Sequence, residues 1–414
     1  EVKQDWVLSG TPDESKFDAI ASRLLGVTFY IAAKLVDEGV ASVEDTDIGA
    51  RVGLRWIKGP FQLLNETGIG KAQEMVRASM APHGLEVPPF LAQADEGGIP
   101  IRLVSVGKRG ALTSIWIDRP DAMNALNPAV GAQFDAAVEH GKANGAGIVI
   151  GGSGKAFVAG ADIKFFVDNL RADAFQDIYS FTKDGQMTLR KLSGGDKAVV
   201  ARVQGLSLGG GSELALACDW IVASPKASFG FPETGIGIYP GLGGTQRLPR
   251  RVGLPLAKYL IFTGQSLSAK KALNIGLCDD VTDFASLDQA CEKWAEKGSV
   301  QQRAVPTIAP SQDWELIWDF FSRWTVEQIL SGDADSLGEP QLEKAVKLMG
   351  FKSANALKMA ERLLNDGEGL ELNAALDLEL EHLETAFSHP DALEGLSSLI
   401  EGRRPAFVVG VSAI

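Results

Sequence analysis

Residues 205–219 read GLSLGGGSELALACD, and this stretch decides how the chain folds. The run AVVARV before it is typical of a buried β-strand, whereas the residues after the glycines have a helical pattern. Outward from this stretch, GIVIGG at 147–152 and DWIVAS at 219–224 also indicate strands, and IRLVSVGKRGALTSIWID at 101–118 indicates two strands joined at Lys108-Arg109-Gly110. Helical stretches separate these runs. The alternation predicts an α/β domain in which loops at strand ends carry the chemistry.

Two glycine-rich loops follow predicted strands and precede predicted helices. The first is GGSG at 151–154, leading into AFVAGAD, and the second is GGG at 209–211. A peptide N–H at such a helix start has no partner within the helix and shares the positive end of the helix dipole, so two loops can hold one oxyanion between them. Glycine also lets the main chain approach a ligand closely. One such loop is commonly only a tight turn, but here two occur with acidic residues nearby.

The acidic candidates are Glu213, just inside the helix after the triple glycine, and Glu233, in the segment FPETG. A glutamate at a helix start is often a solvated residue that interacts favourably with the dipole. Here Glu213 is followed by the apolar run LALAC, and Glu233 is flanked by Phe229 and Phe231. Both carboxyls are therefore expected in partly apolar surroundings that shift their pKa. A pair of carboxyls of this kind can serve as acid and base.

Five segments resemble, in order and in spacing, the successive blocks of the crotonase (enoyl-CoA hydratase/isomerase) superfamily. They are RPDAMNALN at 119–127, GKAFVAGADIK at 154–164, GLSLGGGSELALACD at 205–219, FGFPETGIGIYPGLGGTQRLPRRVG at 229–253 and TGQSLSAKKALNIGLCDDV at 263–281. The segment EGRRPAF at 401–407 resembles the superfamily's last motif, except that Gly402 stands where many members have a lysine. The resemblance is continuous over residues 99–281.

The resemblance implies an α/β spiral of ββα units with C-terminal helices, acting on acyl-CoA thioesters. It implies an oxyanion hole made by the amides of Ala161 and Gly210. Glu213 would activate the water that adds to Cβ, and Glu233 would deliver a proton to Cα. The substrate-binding residues implied by the same resemblance are Ala159, Asp162, Ile163 and Lys164.

These features favour an enoyl-CoA hydratase, which reversibly adds water to a trans-2-enoyl-CoA in fatty-acid or short-chain acyl-CoA metabolism. No metal and no redox cofactor is expected, because coenzyme A is part of the substrate. The family also implies a homo-oligomer built on trimers. Two alternatives stay open: an enoyl-CoA isomerase, for which Glu233 alone could suffice, and a non-catalytic crotonase-fold module that docks a dehydrogenase. Isomerases typically lack the glutamate matching Glu213.

The first ninety residues predict a separate small all-α domain. Phe17, Ile20, Leu24, Val27, Ile31 and Leu35 recur at helical spacing and form the stripe of an amphipathic helix. Ser42 and Asp45 have the form of a capping box that opens a second helix. The segment 84–100 mixes proline, glycine and acidic residues without periodicity. We therefore predict domains at 1–95 and 96–414.

This amino-terminal part resembles the C-terminal helical domain of 3-hydroxyacyl-CoA dehydrogenases through AAKLVDEGVASVEDTDIGARVGLRWIKGPFQLLNETGIG at 32–70. Gly68-x-Gly70 lacks a third glycine in register and a preceding strand, so it is a weak dinucleotide motif. This chain alone should not oxidise a substrate, and NAD would enter only with a missing upstream domain. The order of the two parts suggests the C-terminal portion of a fused hydratase–dehydrogenase.

Composition excludes several other classes of protein. A net charge of −13 gives no electrostatic footprint for nucleic acid or an anionic membrane. Three scattered cysteines and four histidines predict neither a disulfide scaffold nor a structural metal site. No uninterrupted apolar run approaches the roughly 18 residues of a spanning helix, and no signal segment opens the chain, so a cytoplasmic protein is expected. About fifty residues from Ser299 to Leu348 exceed the usual hydratase, and their tryptophans suggest core or subunit interface.

Overall fold

The computed structural model describes residues 13–300, 303–334 and 338–408. The chain divides into two compact units, Glu1–Arg102 and Leu103–Ile414. The first twelve residues of the predicted helical domain and the last six of the predicted crotonase domain lie outside the described residues, as do 301–302 and 335–337. Each unit has its own buried apolar core.

The first unit is helical throughout its described part, which confirms the predicted all-α class. Its helices are α1 (Phe17–Asp37), α2 (Val43–Gly53), α3 (Pro60–Thr67), α4 (Ile69–Met80) and α5 (Pro89–Ala92). The capping prediction is also confirmed, because the Asp45 amide donates to Ser42 Oγ at 3.0 Å immediately before α2.

The apolar stripe that predicts α1 is not the face through which α1 packs. Phe17, Ile20, Leu24 and Ile31 are each more than half exposed, whereas Phe29 and Ala33 are fully buried. The packed face carries Gly26, where an added Cβ would lie 2.4 Å from the carbonyl oxygen of Met75 in α4. Close contact between α1 and α4 therefore depends on small side chains and overrides the hydrophobic stripe.

One helix in the described ranges, Glu14–Asp37, is long and apolar enough to cross a membrane by length and composition alone, with 24 residues and a mean hydropathy of 1.5. The search for uninterrupted apolar runs misses it because Arg23, Thr28 and Lys34 interrupt the pattern. Within its unit this helix packs on α4 through Phe29 and Ala33. A core helix of a soluble protein passes the same test.

The second unit contains two sheets, which confirms the predicted α/β class. One sheet has the order β1-β2-β3-β5-β7-β10 and the other has the order β4-β6-β8-β9. The strands are β1 (Val104–Arg109), β2 (Leu112–Ile117), β3 (Gly147–Gly152), β4 (Ala156–Ala159), β5 (Ala198–Val203), β6 (Leu206–Leu208), β7 (Trp220–Ala223), β8 (Ser228–Gly230), β9 (Leu267–Ser268) and β10 (Asp280–Val281). The first two form the predicted antiparallel hairpin.

From β3 to β8, successive strands alternate between the two sheets, and helices follow each pair. β3, β5 and β7 join the larger sheet, while β4, β6 and β8 join the smaller one. The helices are α6 (Pro128–Ala143), α7 (Ile163–Arg171), α8 (Phe175–Arg190), α9 (Gly210–Ala217), α10 (Gly244–Val252), α11 (Leu254–Thr263), α12 (Ala269–Asn274), α13 (Leu287–Ala295), α14 (Gln312–Arg323), α15 (Val326–Ser331), α16 (Pro340–Met349), α17 (Ala354–Asp366), α18 (Leu372–Glu381), α19 (Leu383–Ser388) and α20 (Pro390–Glu401). This arrangement confirms the expected ββα units and C-terminal helices.

The extra segment contributes to the core of the second unit. Trp314 is buried and its Nε1 donates to Asn274 Oδ1 at 2.7 Å. The ring of Trp318 lies where a Cβ on Gly253 would meet it at 2.4 Å. α14 packs on α11, where Phe321 contacts the ring of Tyr259. Of the two roles expected for these aromatic residues, the structure assigns a core role to Trp314 and Trp318.

The smaller sheet places three loops side by side. β4 pairs in parallel with β6, and β6 pairs in parallel with β8, so that Ala159 is opposite Leu208 and Leu208 is opposite Gly230. The carboxyl ends of the three strands are therefore level. The residues that follow these ends, 160–162, 209–211 and 231–233, form one edge of the sheet, and they include Glu233 and both predicted amide donors. Glu213 follows two residues after the second of these loops, inside α9.

Candidate active site

Glu213 lies in the first turn of α9 and is 2% exposed. Its Oε1 accepts hydrogen bonds from the amides of Leu242 and Gly244, each at 2.7 Å. Burial raises the pKa of this carboxyl to about 7, although the two amide donors and the charge of Arg247 oppose the shift. A carboxyl with this pKa can exchange a proton near neutral pH.

Glu233 opens a short 3₁₀ turn, Glu233–Ile236, after β8. Its side chain is buried, and its Oε2 has no hydrogen-bond partner within the described residues. Burial, and next the charge of Glu213, hold the pKa of Glu233 well above its usual range. The two carboxyls thus interact through their charges, and an ionised Glu213 favours the protonated form of Glu233.

Gly209 leaves room for Glu233 beside the first glycine loop. A Cβ added at Gly209 would lie 2.4 Å from Glu233 Oε1. Gly209 also adopts φ 51° and ψ −122°, a conformation open to glycine and strained for other residues. The first glycine of the triplet is therefore required both by the close approach of the carboxyl and by its own backbone.

The predicted donor amides, Ala161 and Gly210, lie on adjacent loops. The amide of Leu126 donates to the carbonyl of Gly160, and the amide of Asp162 donates to the carbonyl of Leu126. The Ala161 N–H lies between these two hydrogen bonds and takes part in neither of them. A Cβ on Gly210 would lie 3.9 Å from the carbonyl carbon of Gly160. Neither the Ala161 nor the Gly210 N–H has a hydrogen-bond partner in the described part of the chain. Such a pair suits an anionic oxygen.

The predicted substrate-binding residues lie at the end of β4 and the start of α7. Ala159 ends the strand, Asp162 precedes the helix, and Ile163 and Lys164 are its first two residues. The Asp162 carboxylate forms an ion pair with Arg119 at 3.2 Å, and Lys164 is exposed. The structure therefore brings all four together on the same loop as Ala161.

Asn124 supports this loop, and the sequence reasoning does not single it out. Its side chain is fully buried, and its Nδ2 donates to the carbonyls of Ser153, Ala156 and Phe157 at 2.8, 2.9 and 3.1 Å. Asn124 adopts a left-handed backbone with φ 59°, which asparagine tolerates better than most residues. An asparagine with the apolar residues Met123 and Ala125 on either side is the signal that could have indicated this role.

A third buried carboxyl, Glu379 in α18, also lies against the site. It accepts hydrogen bonds from the amides of Gly243 and Thr245, the residues that alternate with the two donors to Glu213. Sequence reasoning misses it because it lies 146 residues beyond Glu233 (379 − 233), in a helix whose pattern is ordinary. No local motif marks this glutamate.

A cavity of about 720 Å³ adjoins the amide pair. Leu126 and Leu242 line it, and their methyl groups would lie 3.4 and 3.2 Å from a Cβ on Gly210. Phe165 and Phe181 also line the cavity. Its apolar lining next to two free amide donors suits a ligand with an apolar chain attached to a polar carbonyl.

Metal-ligating groups do not cluster in this site. Within the described ranges, no group of three or more histidine, cysteine, aspartate or glutamate side chains could hold a metal ion. Cys218, Cys278 and Cys291 are buried and unpaired.

The alternating strands, the two buried glutamates and the paired amides define a crotonase-fold protein. A solved structure described as an enoyl-CoA hydratase from Rhodobacter sphaeroides 2.4.1 has the same fold, with a TM-score of 0.64 and 24% identity over 74% of this chain and 92% of that one. Residues 107–309 match the sequence model of the enoyl-CoA hydratase/isomerase family. Residues 20–94 match that of the 3-hydroxyacyl-CoA dehydrogenase C-terminal domain.

Two curated relatives align with this chain over most of their own length. The short-chain-enoyl-CoA hydratase of Clostridium acetobutylicum is 40% identical over 304 residues, which cover 73% of this chain and 95% of that protein. The crotonyl-CoA hydratase of Syntrophomonas wolfei is 32% identical over 311 residues, which cover 73% of this chain and 96% of that protein. The chain belongs to the enoyl-CoA hydratase/isomerase family, and a dehydrogenase-type helical domain precedes its crotonase fold.

Substituting Gly209 by alanine tests the contact between the glycine loop and Glu233. The added Cβ would overlap Glu233 Oε1 and strain the backbone, so we expect the free energy of unfolding to fall by about 2 kcal/mol or more. Equilibrium denaturation measures this change. Gly195→Ala is the control, because a Cβ there meets no atom within 4 Å. Equal stability of the two variants would contradict the proposed packing.

Proposed function

We propose that this chain is an enoyl-CoA hydratase that reversibly adds water to a trans-2-enoyl-CoA and forms the 3-hydroxyacyl-CoA. The observation that carries the proposal is the presence of two buried glutamates beside one pair of unpartnered amides. Hydration needs a base for water and an acid for the neighbouring carbon, whereas moving a double bond needs only one proton shuttle. The names of the two curated relatives support the same reaction.

In this mechanism the amides of Ala161 and Gly210 hold the thioester oxygen. Negative charge develops on that oxygen as water adds to Cβ, and preformed main-chain donors stabilise the charge without reorganising. Each such donor contributes on the order of 10²–10³-fold in turnover. The lack of any competing partner for the two N–H groups in the described chain supports this role.

Glu213 acts as the base and Glu233 as the acid in the hydration direction. Glu213 ionises first, because amide donors and Arg247 stabilise its charge, and it then takes a proton from the attacking water. Glu233 keeps its proton because burial and the Glu213 charge oppose its ionisation. It delivers that proton to Cα. Both roles reverse in dehydration.

The polar part of the substrate is proposed to bind along Ala159, Asp162, Ile163 and Lys164, and the acyl chain to enter the cavity. Lys164 is exposed at the start of α7 and could meet a phosphate of coenzyme A. The leucine and phenylalanine lining of the cavity supports an apolar acyl tail. The reaction so described uses protein groups and the substrate, with neither a metal nor a redox cofactor.

The setting of the enzyme is part of the same proposal. We expect a cytoplasmic homo-oligomer built on trimers, in fatty-acid or short-chain acyl-CoA metabolism. A dehydrogenase portion is proposed as the functional partner of the helical domain, since residues 20–94 match the C-terminal domain of that enzyme class. Such a portion would oxidise the 3-hydroxyacyl-CoA that hydration forms.

Replacing either glutamate by glutamine tests the assigned roles. We expect Glu213→Gln and Glu233→Gln each to lower crotonyl-CoA hydration by about 10²–10⁴-fold, because each removes a positioned proton-transfer group. Loss of the conjugated thioester absorbance measures the rate. Glu361→Gln is the control, because Glu361 lies in α17 and accepts a hydrogen bond from the amide of Val326. Turnover within a few-fold of wild type in either of the first two variants would show that the pair is misassigned.

The pH profile of hydration follows from the two pKa shifts. Since Glu213 must be ionised and its pKa is raised to about 7, kcat/KM should rise with pH through neutrality. Since Glu233 must be protonated, and burial together with the Glu213 charge holds its pKa well above its usual range, kcat/KM should fall again at more alkaline pH. Initial rates across the pH range check this. A profile already flat from pH 5 upwards would mean that Glu213 is not the base.

The purified chain should form no NADH from 3-hydroxybutyryl-CoA and NAD. Gly68 and Gly70 lie where α3 meets α4, and no strand precedes them in the described first unit. A dinucleotide fingerprint needs a strand, a glycine turn and a helix. Absorbance of NADH measures the reaction, and hydration by the same preparation shows that the protein is active. Appreciable NADH formation would overturn the domain interpretation.

A further inference from the structure

The turn from Leu242 to Thr245 lies between two buried carboxyls. Its amides alternate: Leu242 and Gly244 donate to Glu213 at 2.7 Å each, whereas Gly243 and Thr245 donate to Glu379 at 2.8 and 3.1 Å. Gly243 adopts φ 106°, a conformation that favours glycine. The turn is therefore fixed from both sides, and each carboxyl depends on the other to keep its donors in place.

The surroundings of Glu379 suit a carboxylate. Its side chain is fully buried in α18. Besides the two amides, Gln186 Nε2 donates to Oε2 at 2.9 Å and the Thr245 hydroxyl donates to Oε1. Gln186 Nε2 also donates to the carbonyl of Gly241, which fixes the orientation of the amide group. All four contacts of the carboxyl therefore come from donors, which favour its ionised form and partly offset the effect of burial.

Charged and titratable groups from several elements face Glu379. Glu213 of α9 lies across the turn and raises the pKa of Glu379, which burial and this charge bring to about 8. Arg247 and Arg250 of α10 feel the Glu379 charge, which opposes the lowering of their pKa by burial. The Tyr239 hydroxyl donates to the Glu379 carbonyl, and its pKa is raised by burial and by the two glutamates. The two carboxyls therefore titrate as a coupled pair.

We propose that Glu379 is a positioning residue for hydration, which holds the 242–245 turn so that the amides of Leu242 and Gly244 stay directed at Glu213. The inference rests on the proposed hydratase function. Glu379 does not touch the amide pair or the cavity; it acts on the base through the turn. The same side chain thus controls both the geometry and the proton affinity of Glu213.

A role in packing alone does not explain a carboxyl at this position. A buried acid is costly compared with an apolar side chain of the same volume, and four donors are needed to offset its lost hydration. Those donors belong to the turn that holds the base and to Gln186, which contacts the same turn at Gly241. The arrangement therefore couples the buried charge to the active site.

The test is the pH profile of E379Q. Glutamine keeps the volume but places an amide donor where a carboxylate oxygen accepts from the turn, so the turn is held less firmly and Glu213 loses part of its hydrogen bonding. We expect the acid limb of kcat/KM to move to higher pH by about one pH unit, because the amide donors of the turn lower the pKa of Glu213. The plateau rate should fall by less than it does for Glu213→Gln. A purely structural role would lower the rate or the stability and leave the limb in place.

Two further variants grade the effect. In E379A the turn loses its clamp, Glu213 loses its amide donors and burial dominates, so the acid limb should move further to higher pH while kcat falls. Thr245→Val removes the hydroxyl donor but keeps the amides of Gly243 and Thr245 on Glu379, so it should move the limb less than E379Q does. Asp219→Asn is the matched control, because Asp219 is buried and accepts from the amides of Val199 and Val300 at 2.8 Å each. It should leave the limb unmoved.

Infrared titration of the carboxyl bands gives the same answer without turnover. The band that disappears in Glu213→Gln identifies Glu213, and its midpoint should rise in E379Q. An unmoved midpoint and an unmoved limb in both E379Q and E379A would overturn the proposal. If the wild type does not hydrate crotonyl-CoA, the proposed function fails, and the infrared midpoint still decides whether Glu379 controls Glu213.

Discussion

The parallel register of β4, β6 and β8 is the constraint on which the site depends. These strands have only three or four residues each, yet their pairing sets the carboxyl ends level. A shift of one residue would exchange the faces of the side chains and separate the loops that follow. Because the pairing is parallel, each strand must be followed by a crossover, and the ββα spiral supplies it. The fold is thus a means of keeping three short loops in register.

Glycines let these loops approach one another more closely than side chains would allow. At Gly209 a Cβ would meet Glu233, and at Gly211 it would lie 1.9 Å from the carbonyl oxygen of Val158. The close approach at Gly211 brings the start of α9 against β4, and the space at Gly209 accommodates the Glu233 carboxyl. The same close approach brings Gly210 near Gly160, whose carbonyl carbon would lie 3.9 Å from a Cβ added at Gly210. The absence of side chains at these glycines therefore permits both the close backbone contact and the approach of Gly210 to the neighbouring loop.

The sequence predicts the strongly patterned parts of this structure and misses those that depend on three-dimensional proximity. The runs 147–152 and 198–203 are long, apolar and buried on both faces, so β3 and β5 are evident. β6 and β8 are too short to show a period. The stripe of α1 indicates a helix but not its packed face, because contact at Gly26 decides the packing. Glu213 and Glu233 stand out beside glycine loops, whereas Glu379 has no local signal and becomes evident only when α18 lies against the turn.

Burying ionisable groups in the core lowers the free energy of unfolding. A carboxyl whose pKa rises on folding binds its proton more tightly in the folded state, so stability falls as pH rises from the unfolded pKa to the folded one. For Glu213, a rise from 4.5 to about 7 corresponds to about 3 kcal/mol above neutrality. A cost of this size is a large fraction of the free energy of unfolding of an ordinary domain. The large apolar core of the second unit offsets it, and the main-chain donors of the 242–245 turn keep it from being larger. The surrounding spiral therefore both aligns the loops and stabilises carboxyls that would otherwise favour water.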